Sequence, residues 1–433
     1  MSFGKRDMET FSSFVRGTSG RWRRGVALLA LLLAAATAGH AQTADDALRF
    51  SERFPAAGAR MVGMAGAGVA GVADFSALYT NPAGLGYLQS SQAVGSFSFV
   101  RAVDEARYEA SFGNGGPSVA NSTRRVGRGD LGSAGLAYKL PTARGSLVLA
   151  GGVNQTGTFQ RTLGYAGTNG ANSITDAFLP RPGNFDVRSN GDLVFDFDTP
   201  LLAYNAGAIE FVEAAYEDGD YPFIQAVTPG TTIDQVGEVV EEGRLTEAAF
   251  GGAVEAAKGV MTGASVNVSF GTYRFARLHQ EFDAANENTP GLYEVLLNDG
   301  SFLRGFDQLD VDERITSELV GVSVRGGLTA DLAAGVRAGL VVETPTWYAI
   351  NETFGTRMIT YFDEPSGEFL EAGATDANEF DYTIQTPWRI GSGLALDFGE
   401  VRVAGDVEYV DWTQLSIEAD GVDFSDVNRR IRN

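Results

Sequence analysis

The chain has 433 residues, with 33 Lys+Arg against 55 Asp+Glu for a formal net charge of -22, 55 glycines and no cysteine. That charge repels nucleic acid and anionic headgroups, and the lack of cysteine excludes disulfide scaffolds, thiolate metal sites and thiol nucleophiles. With His40 in a leader segment, His279 is the only imidazole left for a mature chain; no nucleophile motif accompanies it, so neither enzyme chemistry nor a cofactor or metal is expected.

Arg16, Arg21, Arg23 and Arg24 precede an apolar run over 26–36, followed by small residues ending in Gly39-His40-Ala41. A basic region, a short apolar stretch and a small-residue site define an export signal, residues 1–41, cleaved after Ala41. About a dozen apolar residues are too few for a membrane-spanning helix, which needs roughly 20.

Residues 42–90 follow as a second unit. Its segment 58–86 reads GARMVGMAGAGVAGVADFSALYTNPAGLG, and its place between leader and repeated strands predicts a plug, or hatch. Gly66, Gly68 and Gly71 satisfy a dinucleotide-binding pattern, yet no apolar strand precedes them, and Asn81-Pro82 interrupts any helix that follows. Asn81-Pro82-Ala83 predicts a defined turn. It either seats the plug or yields to a ligand.

Residues 91–433 predict an antiparallel transmembrane β-barrel. Val401, Val403, Val407 and Tyr409 alternate with Arg402, Ala404, Asp406 and Glu408, and the same period of two runs through 332–342, 390–398 and 265–270. Tight turns at 140–144, 258–260, 328–331 and 399–400 contrast with long polar connections at 159–246, 279–312 and 349–379. Short turns on one side and long loops on the other fit a barrel whose backbone is fully paired within lipid. Nine crossings are read: 91–103, 130–140, 144–158, 247–257, 260–277, 314–327, 331–347, 381–398 and 400–415, with 416–433 as an outer loop. An odd count does not fit an even-stranded closed barrel, which predicts a C-terminally truncated product; alternatively 106–112 supplies a tenth strand.

Within that frame, Arg325, Arg337 and Arg402 face the lumen, where they either receive a carboxylate headgroup or pair with Asp397, Asp406 or Glu408. Gly151-Gly152 in the third strand permits a kink and a lateral opening, or merely serves curvature. Trp347, Tyr348, Trp388 and Trp412 fit an interfacial girdle. The acidic stretches at 196–198 and 307–313 read as solvated loops.

The hatch residues Gly58-Ala59-Arg60, Gly63–Gly68 and Ala77–Leu85, with Asn81-Pro82-Ala83 among them, resemble the N-terminal hatch of the FadL/TodX outer-membrane transporters. Thr386–Ala395 and Asp406–Gln414 are similar to a late hairpin of that family. The resemblance implies a fourteen-stranded barrel, of which nine or ten strands are present, with the hatch in its lumen. It further implies a monomer in the bacterial outer membrane, in contact with outer-membrane lipid, that takes up long-chain fatty acids or other hydrophobic small molecules and releases them sideways. A comparable glycine-rich, Asn-Pro-Ala start occurs in PorV-type secretion components, which leaves a protein-secretion role as the alternative.

Overall fold

The computed structural model describes residues 44–52, 58–110, 118–373 and 378–432. The expected signal peptide lies outside them. Thirteen strands join in one antiparallel sheet: β1 (Gln92–Ala110), β2 (Ser118–Leu140), β3 (Leu147–Asn169), β4 (Ile233–Ala257), β5 (Val260–Phe282), β6 (Gln308–Ala333), β7 (Val336–Glu343), β8 (Trp347–Tyr361), β9 (Phe369–Gly373), β10 (Asn378–Gln385), β11 (Arg389–Phe398), β12 (Val401–Val410) and β13 (Ser416–Glu418). They make nine crossings of a curled half-barrel.

Six crossings are single long strands. β6 pairs with β5 along its whole length, but on its other side it pairs first with β8 and then with β7. The last three crossings are therefore each broken at one height, at 344–346, 386–388 and 411–415. Pro345 and Pro387 have no N–H to give to a ladder. Threonines bridge the breaks: Thr344 Oγ1 accepts from the Val324 N–H at 3.0 Å, and Thr386 Oγ1 accepts from the Thr346 N–H at 2.8 Å.

Side-chain alternation sorts the sheet into two faces. On β6, Val320, Val322, Val324 and Leu328 point outward and are exposed, while Leu319, Ser323, Arg325 and Thr329 are buried on the inner face. The outward apolar stretch from 320 to 328 spans about 26 Å at roughly 3.3 Å per residue, the height of a bilayer's hydrocarbon band. Trp347, Trp388 and Trp412 project outward at the level of the strand breaks. Tyr348 does not join that girdle: it is buried on the inner face, one residue out of phase with Trp347. No helix among the described residues is long and apolar enough to cross a membrane.

The structure corrects several boundaries. Residues 106–110 continue β1 and pair with 118–122, so they are not a tenth crossing; Phe112 lies outside the described residues. The β6 ladder runs through 328–331 to Ala333↔Val336, and Gly335, with φ +76°, makes the turn instead. Strands also extend well into the expected loops, β3 to Asn169 and β4 from Ile233. Charged residues such as Glu238, Glu242 and Arg244 occupy the outward face there, so the hydrophobic alternation fades while the backbone ladder, indifferent to side-chain polarity, continues. The acidic run 307–313 likewise leads into β6 rather than forming a loop. Residues 416–418 form β13 against β10, and Ser425–Arg432 is a helix whose Val427 and Ile431 pack on the lumen cluster.

The long connections are not merely solvated. Segments 170–232 and 283–307 fold into a cap over an apolar core in which their Phe178, Ile209, Phe223, Tyr293 and Phe306 are buried together with Phe362. Tyr293 anchors the two segments by donating its hydroxyl to the Gly207 carbonyl at 2.8 Å. Burial against this core pushes the Glu210 carboxyl up from 4.5 to about 7. Folding then favours the protonated form, so cap stability present below pH 4.5 is lost as pH rises through 7. Limited proteolysis of 170–232 is expected to be faster at pH 8 than at pH 5, and Glu210→Gln is expected to flatten that dependence.

Candidate functional site

The segment from Gly58 to Tyr87 lies against the inner face of the sheet. It consists of the helix Gly58–Gly63 and two short 3-10 turns, Phe75–Tyr79 and Pro82–Tyr87. Met61, Val72, Phe75, Leu78 and Leu85 form one apolar cluster with Ala137, Val148, Ala150 and Ala249 of β2, β3 and β4. The Gly66-Gly68-Gly71 stretch follows a short helix rather than a strand, so it lacks the frame a dinucleotide site needs.

Asn81 is the pin of this arrangement and is fully buried, with 0% exposure. Its Oδ1 accepts from the Ala83 N–H at 3.1 Å and so caps the turn that Pro82 opens. Its Nδ2 faces Val69 O at 2.7 Å, Leu328 O at 3.2 Å and Leu340 O at 3.3 Å, reaching both β6 and β7. This close approach requires wall residues without side chains. A Cβ on Gly327 would overlap Asn81 Oδ1, one on Gly263 would fall 2.5 Å from the Pro82 carbonyl carbon and the Ala83 nitrogen, and one on Gly339 would overlap Val69 O.

Further bonds hold the rest of the hatch backbone, which is withdrawn from water and must find partners in the wall. Asp406 Oδ2 accepts from the Gly68 and Val69 N–H groups at 2.6 and 2.8 Å. Arg402 donates to Gly71 O at 2.9 Å, Arg325 to Leu78 O at 3.2 Å, and Lys139 to Leu88 O at 2.6 Å.

Arg325, Arg337 and Arg402 all face inward, and each is engaged. Arg402 pairs with Asp397, one of the expected partners, whereas Arg337 takes Asp331 at 2.9 Å and lies 3.5 Å from the Tyr87 ring centroid. Arg325, 2% exposed, binds Glu343 at 3.0 Å and Glu247 at 3.2 Å. Neither glutamate stands out in the sequence, since they lie 18 and 78 residues away from Arg325 and only the ladder brings them together. Through Glu343, Ser323, Asn267 and Ser265 the ion pairs extend into a buried polar belt directly above the hatch.

Above the belt the lumen turns apolar. Leu245, Tyr273, Leu319, Tyr348 and Ile350 meet Ala47 and Phe50 of the helix Ala44–Ser51. Phe50, Phe159 and Tyr273 pack edge to face with centroids 5.3–6.0 Å apart. Higher still, His279 contacts Tyr165 at 2.7 Å and Glu281 at 3.3 Å, and Glu281 holds the Ile174 N–H and Ser173 hydroxyl at the root of the cap. Ser173 thus serves the glutamate.

At Gly151-Gly152 the ladders to β2 and β4 are both unbroken, so the glycines themselves make no kink. Gly152 instead seats the hatch: a Cβ there would lie 2.6 Å from the Phe75 ring. The interruption comes just beyond. The β2–β3 ladder ends at Ser133↔Asn154, and the β3–β4 register shifts between Gln155 and Gly157, while β2 from Ser118 to Leu131 pairs with β1 alone. A notch in the backbone ladder between β2 and β3 therefore begins at the height of the polar belt, and side chains span it: Arg244 reaches Asp130 at 3.6 Å, Asp104 accepts from the Thr162 N–H at 3.0 Å, and Tyr108 stacks on Tyr165.

No known family model matches the chain, and no curated protein does. Among solved structures it is similar to the toluene transporter TbuX of Ralstonia pickettii, at 15% identity over 85% of this chain and 75% of that one, TM-score 0.39. It is also similar to the toluene transporter TodX of Pseudomonas putida, at 14% identity over 82% and 72%, TM-score 0.38. The monoaromatic hydrocarbon channel CymD matches at 10% identity over 82% and 93%, TM-score 0.31.

Replacing Asn81 with Ala is expected to cost about 1–3 kcal/mol and to raise amide exchange in 66–88 while leaving that of β3–β6 unchanged, read by hydrogen-exchange mass spectrometry. Arg325→Met strands two buried carboxylates and is expected to destabilise the protein by about 3–5 kcal/mol in denaturant titration, with Glu247→Gln and Glu343→Gln restoring part of the loss.

Proposed function

We propose that the chain mediates passive uptake of hydrophobic small molecules across the bacterial outer membrane, with the hatch blocking the straight path and the ligand leaving sideways between β2 and β3. The observation that carries this reading is the layering of the lumen. An apolar cluster that includes Phe50, Phe159, Tyr273 and Leu319 lies directly on the buried belt of Arg325, Glu247, Glu343 and Asn267. A hydrocarbon lodged in the upper layer gains by staying out of water, but moving down would pull it against desolvated, mutually satisfied charges that offer it nothing. The notch in the β2–β3 ladder, above Ser133↔Asn154, begins at that same boundary.

The ligand class follows from the arginines. Since Arg325, Arg337 and Arg402 are each committed to a carboxylate, no headgroup receptor is assigned to them, and the reading favours uncharged hydrocarbons over long-chain fatty acids. The Asn-Pro-Ala hatch and the Pro-Trp hairpin, which resemble those of FadL/TodX transporters, agree with uptake.

A deletion strain given labelled toluene, a long alkane and a long-chain fatty acid tests the function. Slower hydrocarbon uptake, restored by the gene, is the expected result; normal uptake of every compound with lost secretion of surface proteins favours the PorV-like alternative. Gly151 and Gly152 are poor sites for testing the exit, because new side chains there strike Phe250 and Phe75. Gly157 is better placed, since a Cβ there meets only the Leu245 Cβ at 3.5 Å. Gly157→Trp is expected to reduce hydrocarbon uptake about tenfold at normal surface levels, and unchanged uptake would rule out exit through the notch.

A further inference from the structure

The apolar layer in which the uptake reading lodges its ligand is closely packed. The cavity beside it, bounded by Phe50, Leu245 and Tyr348 among others, measures about 20 Å³. That is room for about one water molecule and none for a hydrocarbon. A ligand therefore enters only if an apolar group leaves, and the wall strands are fixed by their ladders.

The helices Ala44–Ser51 and Ser425–Arg432 both press on this layer. The first inserts Ala47 and Phe50 and is tied to the wall: Arg389 donates to the Ser51 carbonyl at 2.7 Å, and Arg49 lies 4.4 Å from the Tyr273 ring centroid. The second is held more loosely. Val427 and Ile431 follow the buried Phe424 at i+3 and i+7, forming an apolar stripe half-buried on the cluster, while Asp426, Arg429, Arg430 and Arg432 stay exposed. Its Arg429 pairs within the helix, with Asp426 at 2.9 Å. Among the described residues, the side chains of 425–432 make polar contact with the wall only through Asn428. Its Nδ2 donates to Ile417 O and its Oδ1 accepts from the Ile417 N–H, both at 2.9 Å.

We propose that the seat of the helix Ser425–Arg432 is the ligand site of the uptake reading, on which this inference rests: a neutral hydrocarbon replaces Val427 and Ile431 on the cluster of Phe50, Phe380 and Ile417, and the helix is released. The ligand gives up apolar exposure as the helix stripe regains it, and water takes over the two Asn428 bonds. The exposed arginines keep the released helix in solution. The helix thereby selects by size, since a ligand that buries less apolar area than Val427 and Ile431 does not displace them.

Hydrogen-exchange mass spectrometry of the purified full chain in lipid nanodiscs, with and without octane or toluene, reads the displacement, and calorimetry reads binding itself. The ligand is expected to speed exchange of 424–432 and of the Ile417 amide about tenfold while leaving 66–88 unchanged. Asn428→Ala removes the bonds to Ile417 and keeps a good helix former, so it is expected to raise the apparent hydrocarbon affinity about tenfold. Saturable binding with unchanged or slowed exchange of 424–432 overturns this proposal alone, as does an unchanged affinity in Asn428→Ala. No saturable binding of either hydrocarbon, in the wild type or in Asn428→Ala, overturns it together with the uptake reading.

Discussion

A hatch placed inside a sheet takes its own backbone out of water without offering it the ladder that a strand enjoys. Each buried N–H and C=O must then be met by the wall, one at a time. Asn81 meets this constraint most economically, satisfying one amide of its own turn and reaching carbonyls of the hatch and of two wall strands at once. Asp406, Arg402, Arg325 and Lys139 repeat the principle from other strands. The wall glycines at 152, 263, 327 and 339 are the steric counterpart, since hydrogen bonds of this length are reached only where side chains are missing.

The same constraint explains why the belt above the hatch is charged. Side chains that reach down to hatch carbonyls are polar, and once buried they need partners of their own. Arg325 bonds Leu78 O and therefore draws in Glu247 and Glu343, which draw in Ser323, Asn267 and Ser265. The apolar cluster begins only where this chain of obligations ends, at Leu245, Leu319 and Tyr273.

Much of this was legible in the sequence wherever one face of a strand meets an apolar environment. The period of two correctly assigned Val324, Val336 and Val401 outward and Arg325, Arg337 and Arg402 inward, and the crossing count of nine followed from it. Above the apolar band the outward face becomes charged, the period disappears, and β3, β4 and β6 run 11, 14 and 6 residues farther than their patterning indicates. Tyr348 was misplaced because it lies just past a strand break, where phase is reset. The partners of Arg325 and the fitting of Gly152 to Phe75 are products of register between distant strands, and no local pattern encodes them.

The aligned breaks at 344–346, 386–388 and 411–415 give one flank of the sheet a different mechanical character from the other. On the β4 to β6 side, force applied to the cap travels through uninterrupted ladders to the level of the hatch. On the far flank the upper strands β8, β10 and β13 and the lower strands β7, β11 and β12 are separate ladders joined by short coil, with β6 as their common spine. The upper flap can therefore flex about that line of threonines and prolines without shearing the strands that grip Val69 and Gly71. Disturbance at the outer surface is absorbed before it reaches the plug.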